Sequence, residues 1–439
     1  MSADQNPRAA GRSVLSNPWV QLILGVICMA SVANLQYGWT LFVNPIDAKY
    51  HWGRPAIQVA FTLFVLLETW LIPVEGYLVD RFGPRYVVIA GAVLVTLSWL
   101  VNSVASWLPV LYFGAALGGI GTGCVYGTCV GNALKWFPGR RGLAAGITAA
   151  GFGGGAALTI GPIASTINSA GYEHAFSRFA LIQGGIVFVM AWGMLAAPAS
   201  LQTATVNPEQ TRRAYTPAEV LRSPVFYVLY LLFVLVSAGG LTLAASMAPI
   251  AKDLHVENAP IEVLGLGMPA LILALSLNRI FDGMGRPFFG WLSDRMGREA
   301  TMALAFMIGA GALFLLDSNG NDPVLFVLLT AVYFGVYGVI FSLFPATQGD
   351  TFGAKFAAAN AGMLYTAKGT GSLLVPVAAS IAKSLDWGTV FTLAMCFNVI
   401  AALLAVFVLR PLRERHLREA ARSSAADFEV AETGRARRY

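Results

Sequence analysis

Charge is scarce in this chain: Asp, Glu, Lys and Arg together make up 12% of its 439 residues, about half the share of a soluble domain. That shortage excludes a protein folded wholly in water. Histidine is rare too, and His51, His174, His255 and His416 all fall in loops or in the C-terminal tail. With no P-loop and no nucleophile beside a base at membrane depth, enzymatic chemistry is not expected and neither ATP nor another cofactor is implied. Cysteine is limited to Cys28, Cys124, Cys129 and Cys396. All four lie in apolar runs without metal or redox spacing, so they read as buried small side chains.

Apolar residues are what the chain has, at 56%, with a mean hydropathy of +0.65. Runs long enough to cross a bilayer recur over 19–43, 56–79, 86–104, 109–133, 143–168, 176–198, 224–250, 264–292, 300–316, 323–348, 357–383 and 387–410. The chain therefore reads as an all-α integral membrane protein of twelve transmembrane helices with no soluble domain. Its polar start leads into the first run without a small-residue cleavage site, so no removed signal peptide is expected. Residues 1–18 read as a tail, 19–198 as a first bundle of six helices, 199–223 as a polar linker, 224–410 as a second bundle and 411–439 as a basic tail.

Twelve crossings put both ends on one side. Of the 29 Lys and Arg residues, only Lys49, Arg54, Arg178, Lys252 and Lys383 fall on the other. The positive-inside rule then predicts cytoplasmic termini in the inner (plasma) membrane. This asymmetry also accounts for the net charge of +6, and no nucleic-acid-binding module accompanies it.

A repeat supports the division into halves. Gly76, Asp80, Arg81 and Gly83 after the second run recur as Gly290, Asp294, Arg295 and Gly297 after the eighth, at a constant offset of 214 residues. Small Gly residues suit close helix approach, Asp suits a helix end or a pair across it, and Arg anchors the cytoplasmic face. One copy would pass as a charged turn; two in register mark a duplicated six-helix unit. On these residues the chain resembles the major facilitator superfamily, with Glu299 departing at the motif edge where the first copy has Arg85. Gly114, Gly118, Gly119, Gly123, Gly127 and Gly131 in the fourth run, and Gly151 to Gly155 in the fifth, read as packing or mechanical elements.

Ionisable groups at membrane depth by default mark a pathway. They are Glu68, Glu75, Arg279, Asp282, Arg286 and Lys368. Lys368 lies about 18 Å along its helix from residue 356, too deep to snorkel; an acidic partner is the bland reading for it, and a cytoplasmic snorkel the bland reading for Arg286. Asp282 stands three residues after Arg279 and four before Arg286, so it can face either. Glu68 is close in depth to Lys368 and suits either a proton-coupling group or a lock on that lysine.

Gly285-Arg286-Pro287-Phe288-Phe289-Gly290-Trp291 and Ala367-Lys368 are similar to the oxalate:formate antiporter family. So are Gln36 to Leu41 with Asn44-Pro45, Ala60 to Leu63, Val125 to Gly127, Trp136 to Pro138 followed by Arg141 to Ala144, and Leu343 to Pro345. The resemblance implies that Arg286 and Lys368 bind the dicarboxylate. Arg matches a carboxylate with two prongs and Lys adds a compact charge, a pairing suited to a short dianion. Gln36, Tyr37, Trp39, Tyr126, Phe152, Tyr337 and Phe341 are expected to wall the pocket, although single aromatics more often only pack. Phe152 and Phe341 stand where that family can present Tyr. Two cations repelling in an empty pocket would favour exchange of small organic anions, by a protein working as a monomer in the lipid bilayer. The Asp282–Arg286 spacing is also similar to proton-coupled monocarboxylate transporters, which keeps lactate- or formate-type symport as the alternative.

Overall fold

The computed structural model describes residues 14–137, 141–198, 214–263, 266–353 and 356–420. The N-terminal tail up to residue 13, Pro138, most of the expected linker (199–213) and the tail from 421 lie outside the described residues.

Nearly every element is helical. Among the described residues, nine helices are long and apolar enough to cross a membrane: Pro18–Tyr50, Pro84–Ser103, Leu108–Trp136, Gly146–Ala170, Tyr172–Trp192, Pro224–Asp253, Arg298–Asn319, Pro323–Phe352 and Trp387–Ala420. A tenth span is formed by Arg54–Trp70 with Ile72–Val79, bent by 47°. The remaining two expected spans are Ala270–Met296, and Ala357–Ser372 continued by Leu374–Ser384. Charge explains the exclusion of the first, which has Arg279, Asp282 and Arg286 within its first eighteen residues. The second opens with small and polar residues around Lys368. The two helices that read poorly as membrane spans are those carrying the deep cations. Spans one to twelve below follow this chain order.

Local chemistry sets the boundaries. Pro18, Pro84, Pro224 and Pro323 occupy first turns, where their missing N–H costs nothing. Asn17, Asp322 and Asp386 cap helix starts by accepting backbone N–H bonds. Gly83 and Gly297, at equivalent places in the two motif copies, both take positive φ (81° and 90°), a conformation that favours glycine. Their backbone thus repeats as their sequence does.

Several expectations need correction. The eighth span does not begin at 264: Pro260–Val263 and Leu266–Pro269 form an antiparallel hairpin, and helix starts at Ala270. The prolines Pro260 and Pro269 pair with each other across it, a sequence better suited to an edge ribbon than to a helix. Cys396 is exposed while the other three cysteines are buried; an apolar run tells depth, not which face meets lipid. Among the described residues, Gly76 and Gly290 have no neighbour within 4 Å of an added Cβ, so neither motif glycine makes the close approach expected of it with any of them. The span-four row does: a Cβ at Gly119 would stand 2.4 Å from the Phe64 carbonyl oxygen, and one at Gly118 2.5 Å from Ser98 Oγ.

Between the chain's two six-span stretches, span two packs on span eleven, span five on span eight, and the far part of span one on span seven. Proline shapes these seams. Pro249 cannot bond back to the Ala245 carbonyl, nor Pro376 to that of Ser372. Both freed oxygens accept from span two, Ala245 from Gln58 Nε2 at 2.8 Å and Ser372 from Thr62 Oγ1 at 2.7 Å. Thr40 Oγ1 accepts from the Ala248 N–H at 2.7 Å, and Arg54 pairs with Asp253 at the same end. Asp253 also accepts from the Trp387 indole at 2.9 Å. The end of the molecule away from the termini is thereby sealed across the seam.

Candidate functional site

Midway along the seam lies a cluster in which no side chain is more than 4% exposed: Gln36, Tyr37, Glu68, Phe152, Arg279, Asp282, Arg286, Tyr337 and Lys368. Span eight supplies three of its charges, one helical turn apart. Asp282 faces both of its arginines: Arg286 Nη2 donates to its two oxygens at 3.1 and 3.3 Å, and Arg279 Nη1 lies 3.5 Å away. The choice left open by the spacing is resolved as sharing, closer to Arg286. Two glycines make room: a Cβ at Gly338 would fall 2.3 Å from Asp282 Oδ1, and one at Gly153 3.1 Å from Arg286 Nη2. The Gly151 to Gly155 run, expected to be mechanical, thus also borders the charges.

Arg286 Nη1 reaches across the seam and donates to the Ala149 carbonyl at 3.0 Å, while its Nε has no partner. It is therefore no cytoplasmic snorkel. Arg279 lies between the rings of Tyr37 and Phe334, 4.0 and 4.4 Å from their centroids, where an aromatic face partly replaces lost hydration.

Lys368, from span eleven, donates to Glu68 Oε2 and to Gln36 Oε1, both at 2.9 Å, and to Tyr365 Oη at 3.4 Å. Glu68 and Gln36 come from spans two and one, so this ion pair crosses the seam. The second oxygen of Glu68 has no partner. Arg286 and Lys368 converge on one ring: the Arg286 Cζ is 4.7 Å and the Lys368 Nζ 5.9 Å from the Phe341 centroid. The expected bare repulsion between them is not found, because each already has a carboxylate. Three cations and two carboxylates leave the cluster one positive charge when all are ionised.

Of the expected wall residues, Tyr37 and Tyr126 both meet Phe152, at 5.5 and 5.3 Å between centroids, and Tyr337 meets Phe341 at 5.6 Å. Trp39, the other expected wall residue of span one, donates its indole N–H to Gln58 at 3.1 Å, toward the sealed end. Tyr365 was missed. It stacks on Tyr126 at 5.5 Å as well as touching Lys368, and its position three residues before Lys368, on the same helix face, was the available signal.

The motif copies lie away from this cluster. Arg81 donates to Tyr77 at 3.4 Å, and Arg295 lies 4.1 Å from the Trp291 ring centroid. Asp294 pairs with Arg298 at 2.7 Å. The departing residue Glu299 pairs with Arg413 at 2.7 Å, tying the motif to the helix that continues past span twelve.

Comparison with known proteins agrees with this architecture. The oxalate:formate antiporter of Oxalobacter formigenes is 34% identical over 94% of this chain and 97% of its own. An uncharacterised 38 kDa protein of Thermoproteus tenax is 30% identical over 89% of this chain and 95% of its own. Human monocarboxylate transporter 11 is more distant, 27% identical over 57% of this chain and 51% of its own. The model of the Major Facilitator Superfamily matches residues 22–376 and 259–438. A helical membrane chain with a duplicated loop motif, two six-span stretches and charges buried on their seam is thus a multi-pass transporter rather than an enzyme, and it belongs to the Major Facilitator Superfamily.

Proposed function

We propose that this transporter exchanges small carboxylates across the inner membrane by alternating access, with oxalate and formate as its substrate pair and the seam cluster as its binding site. The observation that carries this reading is the convergence of Arg286 and Lys368 on Phe341, inside a cluster that keeps one unbalanced positive charge. Burying a net charge is costly, so an anion that cancels it lets the loaded carrier close more readily than the bare one. Exchange, not leak, follows. The free Nε of Arg286 gives an incoming carboxylate a side-on approach to the guanidinium while Asp282 stays with Arg279. Gln36, Tyr37, Tyr126 and Tyr337 would wall the pocket, with Phe152, Phe341 and Tyr365.

In the same reading, residues 19–198 and 224–410 rock as two halves about the seam, a monomer suffices, and both termini lie in the cytoplasm. The excess of Lys and Arg on the terminus side supports that orientation. The antiporter relative, matched along nearly its whole length, supports the substrate class. Purified protein in formate-loaded liposomes should take up labelled oxalate. Uptake that is equally fast with no internal anion would sink exchange.

Proton-linked monocarboxylate symport is the second reading, favoured by the Asp282–Arg286 contact at 3.1 Å. Lactate or formate uptake that needs no counter-anion and carries protons inward would select it.

A further inference from the structure

We infer that the groove between spans five and six, at the end of the molecule away from the termini, binds one phospholipid of that leaflet. Arg178 and His174 take its phosphodiester, and Ser177 and Thr166 take a headgroup that donates hydrogen bonds. The site lies apart from the seam cluster and does not depend on which carboxylates are carried.

The groove holds about 320 Å3 and is lined by Thr166, Ala170, His174, Ser177, Arg178 and Leu181. Arg178 stands six residues into span six, about 9 Å from its first residue, near the boundary between lipid headgroups and hydrocarbon. Other cations at this end are already paired, Lys49 with Glu173 at 2.6 Å and Arg54 with Asp253. Arg178 is exposed and, among the described residues, makes no ion pair and no hydrogen bond. No acidic residue is among those lining the groove, and Glu173, the closest acid along the helix, is held by Lys49. His174, also exposed, stands one turn before Arg178 on the same face. An unpaired guanidinium at headgroup depth matches a phosphate.

The hydroxyls add selectivity. Ser177 Oγ donates to the Glu173 carbonyl at 3.0 Å and Thr166 Oγ1 to the Pro162 carbonyl at 2.9 Å. Each hydrogen is spent on backbone, so each oxygen can only accept from a ligand. Cations with acceptors beside them suit a phosphoethanolamine or phosphoglycerol head, whose ammonium or hydroxyls donate. A phosphocholine head has no such hydrogen.

Below the headgroup level the faces bordering the groove run on as apolar and exposed. On span five these are Pro162 and Leu158, four and eight residues before Thr166, and on span six Leu181 and Phe188. Between the latter two lies Gly185, where an added Cβ would meet no described atom within 4 Å. An acyl chain thus has an open track toward the bilayer centre, which a free phosphate ion would leave empty. That track favours the lipid over the ion.

Purified full-length protein, delipidated in detergent, is titrated with dioleoyl phosphatidylethanolamine, phosphatidylglycerol and phosphatidylcholine and read by native mass spectrometry. Wild type should hold the first molecule of either donor-headed lipid about fivefold more tightly than phosphatidylcholine, the effect of about one hydrogen bond. Arg178→Ala should weaken all three about fivefold, the effect of one cation at a lipid surface. Lys383→Ala, which removes an exposed cation elsewhere at that end, should change nothing. Ser177→Ala/Thr166→Val should abolish the headgroup preference alone, and Gly185→Leu, which fills the track, should weaken all three lipids. Wild-type binding in Arg178→Ala, or an equal loss in Lys383→Ala, overturns the site. Displacement of the lipid by excess inorganic phosphate, or unchanged binding in Gly185→Leu, overturns the lipid as occupant. Equal retention of the three lipids by wild type overturns the role given to Ser177 and Thr166.

Discussion

Two buried ionic groups lie within one cluster and are built differently. Arg279, Asp282 and Arg286 belong to one helix and pair their charges within about two turns, so these ion pairs survive any rigid motion of span eight. Glu68 and Lys368 belong to opposite sides of the seam and meet at 2.9 Å only while spans two and eleven are packed together. The first group is a fixture and the second is a contact that the transport cycle must break. A same-helix ion pair holds a cation in place, whereas a cross-seam pair reports and resists opening.

The sharpest test of this difference is removal of each cation. Lys368→Ala leaves Glu68 buried without a cation and should abolish flux while lowering stability by about 3–5 kcal/mol. Thermal unfolding in detergent should detect the loss, and the double variant Glu68→Ala/Lys368→Ala should recover the stability without recovering flux. An equal loss in the single and double variants would break the comparison.

Arg286→Ala should also lose flux in liposomes, by at least about 100-fold if an interaction worth about 3 kcal/mol with the substrate is removed. Its stability cost should be smaller, about 1–3 kcal/mol, because Asp282 keeps Arg279. If Arg286→Ala unfolds as readily as Lys368→Ala, the claim that span eight pairs its own ions is wrong.

The fixture depends on the seat of its helix. A Cβ at Gly285 would stand 1.9 Å from the Gly335 carbonyl oxygen, so Gly285→Ala must push spans eight and ten apart, at about 1–3 kcal/mol. Weaker anion binding by calorimetry should accompany it, since Arg286 is the next residue. Normal affinity in this variant would show that the arginine's position tolerates movement of its helix.

Smallest in energy is the lock at the sealed end. The Arg54–Asp253 pair is partly exposed, with side chains 24% and 40% accessible, so Arg54→Ala should cost at most about 1 kcal/mol. Its effect should be on the balance of states: a cysteine placed at Ser246 should react faster with a membrane-impermeant thiol reagent. Unchanged reactivity would mean that the Gln58 and Thr62 bonds to the proline-freed carbonyls hold that end by themselves.

Much of the fold could be read from residue order because its signals are local or repeated. Apolar runs announce spans wherever charge is absent, the Gly76 and Gly290 motifs repeat at one offset, and proline and glycine mark where helices start and stop. The reading erred where tertiary context outweighed pattern: the strand Leu266–Pro269 was taken for the start of a helix, and Cys396 for a buried residue. Within the candidate site, Arg286 and Lys368 stood out because an ionised side chain at membrane depth is rare. Tyr365 did not, since aromatics are common in apolar runs and only its place three residues before Lys368 set it apart.

Sequence by itself determined which residues carry charge into the bilayer and that span eight could pair its own ions, because helical spacing alone brings positions three and four apart together. Only the tertiary structure decided that Asp282 serves both arginines and that Glu68 of one side clasps Lys368 of the other. Three hundred residues separate that pair along the chain, and no local periodicity encodes a contact created by packing two helices across a seam.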